Sequence, residues 1–79
     1  MQVGDIVTIK VVDEGADEAD IRLNGKMGII DTIDRDMVLI NFVFPYEGLH
    51  SGGKDVPRYE HSYWWLYKCD VQVYDARLG

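Results

Sequence analysis

Apolar residues in this chain gather in short segments, the first of them alternating, and no long segment carries the i, i+3, i+4 spacing of an amphipathic helix. With 79 residues to work with, an alternating chain has few options: short strands joined by tight turns that share one small core. Val3 to Val12 alternates first and places Val3, Val7, Ile9 and Val11 on one face. Asp13 to Arg22 reads as an acidic loop with room for one helical turn at Ala16–Ile21, and Asn24-Gly25 is a strong turn signal. Gly25 to Ile33 reads as a second strand, whose early glycine predicts a bulge or a close backbone approach. Asp34-Arg35-Asp36 is a hairpin turn. Met37 to Phe44 follows as the strongest strand, with Val38, Ile40, Phe42 and Phe44 on one face, and Pro45 ends it because proline cannot donate to a ladder. Tyr63 to Tyr67 makes a fourth strand, Lys68-Cys69-Asp70 a brief turn, and Val71 to Tyr74 a fifth strand. The expected architecture is one all-β domain over residues 1–79, a small five-stranded, partly open barrel with a long loop before the fourth strand. Curling the sheet limits the exposed edges that make β proteins aggregate.

Composition narrows the function classes. A hydrophobic content of 47% argues for a folded chain. The lone cysteine, Cys69, rules out an internal disulfide framework and favours a reducing compartment. Met1 to Asp5 starts a strand and does not resemble a signal peptide, and no apolar run approaches the ~18 residues of a membrane span. The expectation is a soluble protein of the cytoplasm with no membrane partner. Fourteen acidic residues against eight basic give a net charge of −6. General phosphate-backbone binders are basic, so this chain repels nucleic acid at long range.

The candidate site centres on the segment Pro45 to Ser62 and the strand after it. Most connections run to about 4–6 residues, and much longer ones tend to carry function. This one holds Tyr46, His50, a Ser51-Gly52-Gly53 hinge, Tyr59 and His61, and it leads into Tyr63-Trp64-Trp65-Leu66-Tyr67. In an extended segment Tyr63, Trp65 and Tyr67 point one way while Trp64 and Leu66 point the other. One face can serve the core with the loop covering the other; alternatively Trp64 or Trp65, with Tyr46 or Tyr59, forms an exposed groove of the kind that anchors protein partners. The acidic run Asp13, Glu14, Asp17, Glu18 and Asp20 is either a solvated loop or a lure for a basic partner surface.

Other chemistries fit poorly. His50, His61 and Cys69 lack the tight spacing and the fourth ligand of a zinc site, so loop histidines that bond backbone carbonyls are the better reading. Gly52-Gly53-Lys54 lacks the leading glycine, the hydroxyl residue and the helix of a phosphate loop. Ser51 beside His50 has no orienting acid, and no nucleophile–base pair is evident, so neither catalysis nor a cofactor is expected.

Val3-Gly4-Asp5-Ile6-Val7, then Asn24-Gly25-Lys26-Met27-Gly28-Ile29-Ile30, then an aromatic strand, a turn and a final strand, resemble the SH3-like barrel superfamily. The middle piece resembles a KOW-type element, and His50-Ser51-Gly52-Gly53 ahead of Trp64-Trp65 is similar to small barrel proteins encoded by bacteriophages. The resemblance implies a non-enzymatic interaction module: a phage-encoded acidic factor, in the bacterial cytoplasm, that binds or inhibits a host protein with a basic surface. The KOW likeness implies a second reading, an RNA or single-stranded DNA module using Lys26, Arg35, Lys54 and Arg58 with aromatic stacking. A structural or assembly component is a third.

Overall fold

The computed structural model describes residues 1–12, 15–42 and 49–74. Five strands form one antiparallel sheet in the order β4-β3-β2-β1-β5: β1 (Ile6–Ile9), β2 (Met27–Asp34), β3 (Met37–Phe42), β4 (Tyr63–Tyr67) and β5 (Val71–Val73). A single helical turn, α1 (Glu18–Ile21), lies between β1 and β2, and 3₁₀ turns occupy Arg58–Glu60 and Lys68–Asp70. No helix among the described residues is long and apolar enough to cross a membrane.

Chain connectivity forces the sheet to curl. β4 and β5 are its two edges, yet only Lys68–Asp70 separates them in the chain. A flat sheet of this order would hold its edges roughly 19 Å apart at ~4.8 Å per strand. The four steps from Tyr67 to Val71 reach at most about 14 Å even when fully extended. The result is the expected partly open barrel, with its core on the concave face.

That core holds Val7, Ile9, Val11, Leu23, Ile30, Val38, Ile40, Phe42, Leu49, Leu66 and Val71, with Ala16, Ile33 and Trp64 packed against it. Val3 does not join the face assigned to it and is 61% exposed. Gly4 adopts φ 95° and Asp5 N–H bonds Gln2 O at 3.1 Å, so a turn breaks the extended run and the strand starts at Ile6. Phe44 and Pro45 lie outside the described residues.

β2 shows both consequences of its early glycine, at different places. A Cβ on Gly28 would overlap Ile40 Cγ2 and crowd Asn41 O, so the close approach is at the glycine itself. The bulge comes three residues later: Ile30 pairs with Ile40 but Thr32 with Leu39, leaving Asp31 as the extra residue. That offset lets Ile30 and Ile33, three apart, both face the core. It also turns Asp31 towards the later loop, where Lys54 Nζ lies 3.8 Å from its Oδ1. The hairpin to β3 closes through Arg35, at φ 57°, and Asp36. On the convex face Leu39 is buried as well; its cross-strand partner there is Trp65.

Candidate functional site

Three segments meet at β4. Its Trp64 and Leu66 turn inward: Leu66 is fully buried and Trp64 is half-buried against the core, while Tyr67 on the other face is exposed. The Trp64 indole N–H donates to Asp20 Oδ1 at 2.8 Å. The Arg22 guanidinium sits over the same ring at 5.4 Å from its centroid, and the His50 ring lies 5.5 Å away, tilted by 37°. Trp64 is thus held by a carboxylate, a cation and an imidazole drawn from two different loops.

The acidic segment is seated locally before it reaches Trp64. Asn24 accepts from Val11 N–H and donates to Val11 O at 3.0 Å, so one side-chain amide clamps the root of the loop like a strand partner. Gly25, at φ 82°, completes the turn. Asp17 caps α1 by accepting from Ala19 N–H at 3.0 Å, and Arg22 Nε donates to Ala19 O at 3.0 Å, which aims the guanidinium. Glu18 is exposed on the far side of Trp64 and, with Arg22, lines a second shallow hollow. Asp13 and Glu14 lie outside the described residues.

The later loop folds back as backbone. Leu49 enters the core, and His50 and Tyr63 exchange N–H···O bonds at 3.0 Å in an isolated antiparallel bridge. His50 Nδ1 then accepts from Gly52 N–H at 2.9 Å. The histidine therefore bonds to backbone as expected, but as an acceptor, and to an amide. Burial holds its pKa below the usual value for histidine, and the nearby His61 lowers it further. Gly52 (φ 65°) lies so close to the Tyr63 ring that no Cβ fits between them, and Lys54 Nζ rests 5.8 Å from that ring's centroid. Tyr59 stands apart on its 3₁₀ turn, 75% exposed, and His61 is half-buried. Tyr46 lies outside the described residues.

Between these segments runs an open groove of about 550 Å³ along β4. Trp64, Trp65, Tyr67 and His50 form one wall, the segment from Gly15 to Asp20 the other, and Met37, Cys69 and Asp70 close one end. Three aspartates line it and, among the described residues, no lysine or arginine does. Of the residues expected at the site, His50, Trp64, Trp65, Asp17 and Asp20 come together; Tyr59 is not part of the lining. Met37, Cys69 and Asp70 were not anticipated, although the last two follow the aromatic strand directly and its edge position would have drawn them in. Asp20 and Trp64 are 44 residues apart, and no local signal joins them.

The bases of the nucleic-acid reading are scattered. Lys26 and Arg35 flank the two ends of β2, whose eight residues span roughly 26 Å when extended. Lys54 is engaged with Asp31. Among the described residues no group of three His, Cys, Asp or Glu side chains is placed to hold a metal. Compared with known proteins, the chain matches no family model, no curated protein and no solved structure.

Proposed function

We propose that this protein is a non-enzymatic interaction module that binds another protein through the β4 groove. The observation that carries the reading is the lining itself: two tryptophans and a tyrosine beside three aspartates, with no lysine or arginine among the described lining residues. Aromatic area supplies anchoring on binding, and an acidic wall selects a basic partner and speeds the encounter. The net charge of −6 adds long-range attraction of the same sign. Together with the resemblance to phage-encoded barrels, this points to an acidic factor that engages, and blocks, a basic surface on a bacterial host protein, including one that itself handles nucleic acid.

Affinity capture from bacterial lysate, with and without nuclease, tests this when wild type is run beside Trp65→Ala and Asp17→Lys. A host protein retained after nuclease and lost with both substitutions supports the module. Retention that ignores both substitutions removes the groove from the reading. Capture that disappears with nuclease shifts it to the nucleic-acid alternative.

A further inference from the structure

Beyond Tyr63, the backbone bonds of β4 among the described residues run to β3 and leave the outward side of Trp65 unused. Phe42 N–H bonds Ser62 O at 2.7 Å and Lys68 N–H bonds Asp36 O at 2.8 Å, which fixes the phase of the β3–β4 ladder. In an antiparallel pair the bonded positions alternate. Trp64 and Leu66 therefore bond Ile40 and Val38, while Tyr63, Trp65 and Tyr67 direct their backbone groups away from β3. The outward groups of Tyr63 are taken by His50. Beyond that bridge, the N–H and C=O of Trp65 and the N–H of Tyr67 have no bonding partner among the described residues. The acid-lined groove runs along this same stretch.

We propose that this edge takes an extended, basic segment of a partner protein as an added strand, continuing the pairing that His50 begins at Tyr63. The inference rests on the interaction-module reading and gives it a binding mode. Backbone bonds to Trp65 and Tyr67 supply register, and alternate side chains of the incoming strand face the groove. Asp17, Asp20 and Asp70 line that side with no lysine or arginine among the described lining residues, which makes Lys or Arg the complementary choice at those positions. A two-residue bridge followed by edge groups with no partner among the described residues is a start that an incoming strand can extend.

The probe is a blocked hexapeptide alternating lysine and valine, compared with its fully backbone-N-methylated form and with a glutamate–valine counterpart. Amide hydrogen exchange at Trp65 and Tyr67 is followed by NMR. Both amides are expected to exchange freely in the free protein and to become protected with the lysine peptide. N-methylation should weaken binding by roughly tenfold or more, the value of one or two lost backbone bonds. A variant adds a second line: Tyr67 already has φ −72°, a value proline adopts, and its N–H lies outside the β3 ladder. Tyr67→Pro should bind about tenfold more weakly than Tyr67→Ala, since only the former deletes the donor. Protected amides in the free protein, equal binding of the N-methylated or glutamate peptide, or no binding of the lysine peptide would each overturn strand addition. A host protein captured in a Trp65-dependent way while neither amide gains protection would leave the module standing and remove this mode alone.

Discussion

The acidic segment 15–25 and the loop segment 49–62 both reach β4, one with side chains and the other with backbone. The first arrives through the Asp20 carboxylate and the Arg22 guanidinium, with the Asn24 amide clamping its root to Val11. The second arrives through the His50–Tyr63 bridge and two positive-φ glycines, Gly52 and Gly53. Side-chain attachment of this kind depends on charge and salt and can be altered one group at a time. Backbone attachment is indifferent to salt and is broken by anything that adds bulk. The groove between them thus has one tunable wall and one fixed wall.

The largest expected effect is on the fixed wall. Gly52→Ala forces an L-residue into positive φ and drives a Cβ into the Tyr63 ring. It should cost about 2–3 kcal/mol in urea unfolding, combining overpacking with left-handed strain. A loss under about 0.5 kcal/mol would show that the loop is not pinned there.

On the tunable wall the effect is smaller. Trp64→Phe keeps most of the ring but deletes the N–H that Asp20 receives. A double-mutant cycle of Trp64→Phe with Asp20→Ala should return a coupling of about 1 kcal/mol, shrinking as salt rises. Zero coupling would mean that the two segments do not differ in the way described.

A pH series separates the walls further. Burial holds the His50 pKa below its unfolded value, so the unfolded chain binds more protons in the window between the two. Stability is then fully present above the unfolded value and falls as pH drops through about 6.5 and towards the folded pKa. Protonation also places a hydrogen on Nδ1, which must stay bare to accept from Gly52 N–H. His50→Gln should flatten this part of the stability–pH curve; an unchanged slope would locate the titration elsewhere.

The smallest effect belongs to Asp17. Asp17→Ala removes the cap of a helix only four residues long, so about 0.5 kcal/mol is expected. The same substitution should reduce the rate of association with a basic peptide, read by stopped flow, while leaving the fixed wall's exchange protection untouched.

Much of this molecule is legible from residue order because it is governed by neighbours. Tyr63 to Tyr67 is a strand at both of its expected ends, Asn24-Gly25 is the turn, and Gly28 marks the close approach. The inward face of β3 follows from period-two alternation at Val38, Ile40 and Phe42. Other features depend on contacts between distant segments. Alternation alone sends Leu39 to solvent, yet it is buried, with Trp65 as its cross-strand partner. The loop before β4 reads as an aromatic-bearing surface, but Tyr59 projects away while Leu49 and His50 are drawn into the core and the sheet. The acidic run reads as a unit, yet Asp20 is singled out by an indole 44 residues away.

By itself, then, the order of residues determined five short strands, their turns and an acidic character, since φ/ψ preference, alternation and charge are local or additive properties. The tertiary structure alone decided which loop walls the groove, which tryptophan is anchored and which backbone groups of β4 lack a partner among the described residues. Those outcomes depend on closure of the barrel: three residues between β4 and β5 bend the sheet, and the bend sets which distant side chains β4 meets.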